Sequence, residues 1–255
     1  MKNLLIYIKP DDREHIWGEE TMKLLAVQID NSLDLGWNRK DLILITNFPY
    51  EYNGIRAREM NVDYFKPKTT TAKISVICKL FEEGLEDDLY WFHDNDAFQM
   101  EELNPHIPPG KVGLTDYGIT KLGPQVDKRW STGVLFFRKD TEDVFKLIMR
   151  STYSHHANEE IGLLAWCRIN KHGIRERLEK LNITYNFAPN RIKDVKKSYE
   201  ITEKPIKVIH FHPSDTRSIN PWGTPVDICV YGKGIGGIPL VTERLINLFK
   251  KHQIT

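Results

Sequence analysis

The sequence predicts an α/β fold in a single domain, a mostly parallel sheet flanked by helices, and three observations lead there. Short apolar runs alternate with segments of helical period along the chain, the pattern of strand–helix–strand units. The run at 89–92 is apolar on both faces, as a strand buried inside a parallel sheet must be. No shift in composition divides the 255 residues, a length that holds one large domain or two small ones.

The elements follow in order. Residues 4–8 are the first apolar run and stop at Lys9-Pro10-Asp11-Asp12-Arg13, where a secretory leader would continue, so the run is read as a strand. Residues 19–35 place Met22, Leu24, Leu25, Val27, Ile29 and Leu33 for a helix packed on the sheet. A second strand at 42–45 closes at Pro49, and a helix over 71–83 ends at Gly84, placed as its C-terminal cap. Strands are expected at 89–92, 112–115, 134–137 and 208–211, with helices over 140–150, 159–170 and 240–250. Residues 186–205 and 220–237 read as long loops, the kind that carry lids or binding segments.

Composition narrows the class. The chain is 40% hydrophobic and 28% charged, enough for a sizeable core. Its 36 Lys+Arg nearly cancel 35 Asp+Glu, which excludes a global basic field for nucleic acid. No apolar run nears the roughly 18–20 residues that span a bilayer. Cys78, Cys167 and Cys229 are far apart and lack metal-ligand spacing, as in a reducing compartment, so a cytoplasmic protein is expected.

The sharpest chemical signal is Trp91-Phe92-His93-Asp94-Asn95-Asp96, where an apolar strand runs into two carboxylates spaced i and i+2. In extended backbone that spacing puts both on one face. The carboxyl ends of parallel strands are where such sheets bind ligands. Paired carboxylates repel unless a cation lies between them, and hard oxygen ligands suit Mn²⁺ or Mg²⁺ with phosphates completing the shell.

A helix, a strand and then Asp94-Asn95-Asp96 resemble the metal-binding motif of GT-A glycosyltransferases, and three later segments resemble the glycogenin-like family 8 in the right order. Ser131-Thr132-Gly133 leads into an apolar strand like the family's Asn-Ser-Gly segment. Asn158-Glu159-Glu160 opens a helix where such enzymes place an acidic or amide residue facing the sugar. Ile209-His210-Phe211 is similar to the family's Ile-His-Phe, whose histidine is the third metal ligand; His212 lies two residues on, and family register favours His210. The match runs from about residue 88 to 217 as ordered short motifs.

The resemblance implies a GT-A domain over 1–255, with a nucleotide-binding half at 1–118 and an acceptor-side half with a C-terminal lid at 119–255. It implies a donor site of Asp94, Lys73, Thr132 and Gly133, with Arg217 replacing the family's lysine on the diphosphate. The family's glycine and lysine after His-Phe are absent here, and the acidic pair departs from its usual residues. That pair implies that Glu159 or Glu160 serves as the base of an inverting transfer. Phe48 and Tyr50 could border a uracil ring, and Trp91, Trp130 and Trp222 flank the motifs as flat faces for a sugar. Lys233, in the glycine-rich 231–237, is a further candidate for the diphosphate. Residues 175–180 and 191–197 are basic enough to meet a phosphate backbone, though a solvated face suits them as well.

The expected function is metal-dependent transfer of a hexose from a nucleotide diphosphate sugar, a UDP-sugar, to a hydroxyl acceptor on a glycan, a protein or a hydroxymethylated DNA base. A sugar-1-phosphate nucleotidyltransferase is the alternative, disfavoured because Lys9-Pro10-Asp11-Asp12 holds no glycine-rich loop after the first strand. A catalytically inactive GT-A binding module is the other.

Overall fold

The computed structural model describes residues 1–9, 19–116, 130–189, 195–211 and 241–254. Its frame is a seven-stranded sheet in the order β10-β8-β9-β6-β1-β2-β5. In chain order these are β1 (Lys2–Tyr7), β2 (Leu42–Thr46), β5 (Arg58–Glu59), β6 (Tyr90–His93), β8 (Val112–Asp116), β9 (Trp130–Phe137) and β10 (Leu178–Lys180). β1 pairs in parallel with β2 and β6, β2 with β5, and β10 with β8, whereas β9 runs antiparallel to both β6 and β8. A small hairpin of β3 (Glu51–Tyr52) and β4 (Ile55–Arg56) stands apart.

Helices cover both faces because the strands alternate apolar residues to both sides. Leu4, Ile6, Tyr90, Phe92, Leu135 and Phe137 meet α2 (Ala72–Glu82), α3 (Glu142–His155) and α4 (Glu159–Arg168) in one core. On the opposite face Leu5, Tyr7 and Leu44 pack on Leu25 and Ile29 of α1 (Glu19–Asp34). Each large side chain withdrawn this way stabilises the fold by about 1.5–3 kcal/mol. Gly84, at φ 89°, follows α2 and donates its N–H to Phe81 O at 3.1 Å, the expected cap.

One expectation is corrected and one is refined. The stretch 186–205 is not all loop, because it contains α5 (Val195–Ile201). The late strand does not join the main sheet: β11 (Val208–His210) pairs antiparallel with β7 (Ala97–Gln99), a short strand that the sequence pattern did not reveal. This ribbon, α1 and α6 (Glu243–Lys251) enclose a second core with Phe98, Ile209, Phe211, Leu245 and Phe249. The glycine-rich stretch 231–237 lies outside the described residues.

Asp30 on α1 ties this layer together. Its buried carboxylate accepts from Lys251 Nζ at 2.7 Å and His252 Nε2 at 2.9 Å at the end of α6, and from Tyr52 Oη at 3.0 Å and Asn53 Nδ2 at 2.9 Å in the hairpin. Burial pushes this carboxyl up, but the four donors outweigh it and bring it from 3.8 to about 2. A depressed carboxyl contributes stability above its unfolded value and loses it as pH falls through the folded value. The stability contributed by this tether, about 2 kcal/mol, is therefore expected to vanish between pH 3.8 and about 2. Asp30→Asn should lose it at neutral pH as well, read as faster hydrogen exchange of the α6 amides.

Candidate functional site

The site lies where β6 leaves the sheet. Asp94 N donates to Gly133 O of β9 at 2.8 Å, and Ala97 N donates back to Asp94 O at 3.0 Å, closing a turn over Asp94-Asn95-Asp96 before β7. The two carboxylates therefore do not share the face of an extended strand; a turn brings them together. Register does the rest, because His210 of β11 lies opposite Ala97 of β7, one residue past Asp96. Its Nε2 stands 3.1 Å from Asp96 Oδ1, and its side chain is fully buried.

Asp94, Asp96 and His210 each present one ligand atom, all within 4.8 Å of one another. Asn186 sets the histidine. Its amide nitrogen donates to Ser131 Oγ at 2.8 Å, so its carbonyl oxygen faces His210 Nδ1 at 2.9 Å and accepts that nitrogen's N–H. That network assigns the lone pair to Nε2, facing a carboxylate oxygen, an arrangement that wants a proton or a cation between. Gly133 leaves the space: a Cβ there would come within 2.3 Å of His210 Cε1 and 3.0 Å of Asp94 Oδ2. Two carboxylates and an imidazole around such a cradle fit a divalent cation such as Mn²⁺ or Mg²⁺.

Beside this group lies a buried charge cluster. Lys73 comes from the first turn of α2 and is no solvated lysine: its Nζ stands 3.0 Å from Asp94 Oδ1 and 3.1 Å from Glu159 Oε1. Glu159 opens α4, whose N-terminus is capped by Asn158 accepting from Ile161 N. Its carboxylate also accepts from Thr132 Oγ1 at 3.0 Å and from Thr70 Oγ1 at 3.2 Å. Glu160 accepts from Thr132 N at 3.2 Å, so both acidic residues meet β9 at Thr132.

These groups hold one another's protonation. Burial pushes the Glu159 carboxyl up, but the Lys73 ammonium and the Thr132 hydroxyl outweigh it and keep it below its ordinary value. Burial pulls Lys73 down, and the carboxylates of Asp94, Glu159 and Glu160 more than reverse this, keeping it charged. Asp94 moves the other way: burial and the Asp96 charge raise its carboxyl despite Lys73.

The remaining candidates scatter. Phe48 lies past the end of β2 with its ring edge-on to Tyr7 at 5.4 Å, and burial raises the Tyr50 hydroxyl to about 12. Trp91 is no sugar platform, because it is fully buried and stacks on Trp37 and His93. The basic stretch 175–180 is engaged within the chain: Arg175 donates to the carbonyls of Cys167 and Arg168, Arg177 pairs with Asp143, and Lys180 with Asp116. His212, Arg217, Trp222, Lys233 and residues 191–194 lie outside the described residues. Sequence reasoning missed Thr70 and Asn186. The second sits at the start of a stretch read only as loop, with no signal that it would meet a histidine 24 residues on.

The sequence matches no protein-family model and no curated protein. Solved structures do share the architecture. The galactosyltransferase LgtC, in complex with donor and acceptor sugar analogues, aligns at a TM-score of 0.53 and 13% identity over 97% of this chain and 100% of its own. The glycosyltransferase GlyE of Streptococcus pneumoniae TIGR4 gives 0.55 at 11% identity over 100% of this chain and 61% of its own. A glycosyltransferase involved in glycosylation of the major capsid of PBCV-1 gives 0.51 at 12% identity over 85% of this chain and 97% of its own. The fold is therefore the GT-A fold of these glycosyltransferases.

Lys73→Met leaves the Glu159 carboxylate buried beside Asp94 without its cation. It should destabilise the protein by about 3–5 kcal/mol in chemical denaturation, the range for one missing partner of a buried pair. Adding Glu159→Gln should restore at least half of that, since the uncompensated charge is then gone.

Proposed function

We propose that this chain is a metal-dependent glycosyltransferase that moves a hexose from a nucleotide diphosphate sugar, a UDP-sugar, to a hydroxyl acceptor. The observation that carries the reading is the convergence of Asp94, Asp96 and His210 at the carboxyl end of a parallel strand, on a fold shared with solved glycosyltransferases. In this reading those three residues hold Mn²⁺ or Mg²⁺, which when bound supplies positive charge to the departing diphosphate. Among the described residues no helix is long and apolar enough to cross a membrane, and the cytoplasm is the proposed compartment.

The chain's own groups divide the remaining work. Lys73 is the fixed cation beside the metal carboxylates, and Glu159, held as an anion by Lys73 and two threonine hydroxyls, is placed to orient donor hydroxyls rather than to take a proton. That leaves Glu160 as the base, held at β9 where it accepts from the backbone N–H of Thr132. It would accept the acceptor's proton as the oxygen attacks the anomeric carbon, from the side opposite the diphosphate.

Substitutions at the metal carboxylates and at Glu160, and the stereochemistry of the product, test this. Asp94→Asn and Asp96→Asn should each lower donor hydrolysis at least about a hundredfold, the scale of several kcal/mol of charge stabilisation. Their melting temperatures in metal-free buffer should stay level or rise, because a repelling carboxylate has gone. Activity equal to the unsubstituted chain, in either variant or in excess chelator, refutes the metal role. Glu160→Gln should lower transfer roughly 10²–10⁴-fold while leaving the donor KM in place. NMR of the product made from an α-linked donor should show a β-linkage, and an α-linked product removes Glu160 as base.

A further inference from the structure

Beneath the turn that carries Asp94 and Asp96 lies a layer of buried polar side chains on the face of α1. Gln28, Asn31 and Ser32 are all within 1% of full burial, as are Asn3 of β1 and His93 of β6. The mechanism above uses none of them. Burying an amide costs about 1–3 kcal/mol unless its hydrogen bonds are remade, so five such groups in one layer need partners. They have them, and most of the partners are backbone atoms of the turn and of β7.

Gln28 Nε2 donates to Asn95 O at 2.9 Å and to Ala97 O at 2.9 Å, the carbonyls on either side of Asp96. His93 Nδ1 stands 2.9 Å from the same Ala97 O and 3.2 Å from Asp94 O. On the far side Phe211 N donates to Asp96 O at 2.9 Å, from the residue after His210. The peptide plane before Asp96 is thus held by Gln28 and the one after it by Phe211, just past β11, so the direction in which its carboxylate leaves the backbone is fixed. One turn along α1, Asn31 Nδ2 donates to Gln99 O at 2.9 Å, two residues beyond Ala97 and clear of the turn. Ser32 Oγ bonds back to Gln28 O and accepts from Asn3 Nδ2, which locks the helix face to β1.

We infer that Gln28 is a positioning residue for the metal-binding turn: its side-chain amide, the donor shared by the carbonyls of Asn95 and Ala97, holds Asp96 in register with His210. The inference rests on the metal role proposed above. Only a side chain with at least two donor hydrogens on one nitrogen can serve both carbonyls. Methionine fills the same volume with none, and glutamate keeps the shape but turns an acceptor toward two acceptors. Residues that orient ligands from behind typically change metal affinity 10- to 100-fold when removed.

The experiment compares the unsubstituted chain with Gln28→Met, Gln28→Glu and Asn31→Ala, following Mn²⁺ affinity by titration, the melting temperature without metal, and kcat and KM for donor hydrolysis. Both Gln28 variants should bind Mn²⁺ 10- to 100-fold more weakly, with kcat falling at saturating Mn²⁺. Asn31→Ala should lose comparable thermal stability yet change Mn²⁺ affinity less than twofold. If Gln28→Met does not fold, Gln28→Glu decides, because the packing volume is kept. Mn²⁺ affinity unchanged in a folded Gln28 variant overturns the positioning role and leaves the metal role standing. Affinity that falls in step with melting temperature in all three variants overturns it as well, since the effect is then loss of fold. If the unsubstituted chain binds no Mn²⁺, the proposed function and this inference fall together.

Discussion

Three carboxylates, those of Asp94, Asp96 and Glu159, are gathered at one end of the sheet, and the structure around them is shaped by their mutual repulsion. Asp94 bears this most: burial, with the Asp96 charge beside it, lifts its carboxyl above the ordinary value. Lys73 offsets part of the charge by standing between Asp94 and Glu159, at 3.0 and 3.1 Å. The imidazole of His210 and the cradle left by Gly133 then define a space in which one more positive charge is favourable. Beyond the Asp94–Asp96 pair these pieces come from different elements, so the sheet and the β7–β11 ribbon must be correctly assembled before the site exists.

That dependence explains the investment of polar groups behind the turn. A buried network of amides is costly unless every partner is in place, and when complete it is stiff. The layer of Asn3, Gln28, Asn31, Ser32 and His93 sits between α1 and the turn, where an apolar core would pack as well but would leave the carbonyls of Asn95 and Ala97 unbonded. The same helix is tied through Asp30 to the C-terminal end of α6 and to the β3–β4 hairpin, and Arg244 of α6 reaches Asn31. Helix α1 is thus a common support for the turn and the C-terminal helix, on the face of the sheet away from α2, α3 and α4.

How much of this the sequence carried follows from the range of the interactions. Strands such as 89–92 and helices such as 71–83 are written in local periodicity and capping, so they were legible to within a few residues. The Asp94–Asp96 pair was legible too, but the geometric reason given for it was not the one the molecule uses: a turn, not strand alternation, makes the carboxylates converge. Gln28, Asn31 and Ser32 broke the apolar face of α1 in plain view, yet a helical pattern tolerates polar residues and says nothing of a carbonyl some 70 positions away. Asn186 and Thr70 were invisible for the same reason, since each acts across the fold. The short β7 was hidden because three residues give no period to detect, and the strand pattern of β11 said nothing of which strand it would pair with.

The comparison structures put this contrast on a firmer footing. At 11–13% identity the alignments with LgtC and GlyE still span nearly the whole of this chain, so the architecture survives replacement of almost every side chain. A sheet with both faces buried tolerates such exchange because any apolar residue of about the right volume keeps the alternation, and backbone hydrogen bonds do not depend on side-chain identity. A site has no such freedom. Asp96 must meet His210 at 3.1 Å, and His210 must find an acceptor for its other nitrogen, which only a few side chains at position 186 can provide. The polar residues that hold the turn are bound by the same requirement, since a donor to two carbonyls admits few substitutes. In a chain this divergent, the buried polar positions are therefore where chemistry and fold constrain the same residues, and the apolar positions are where they part.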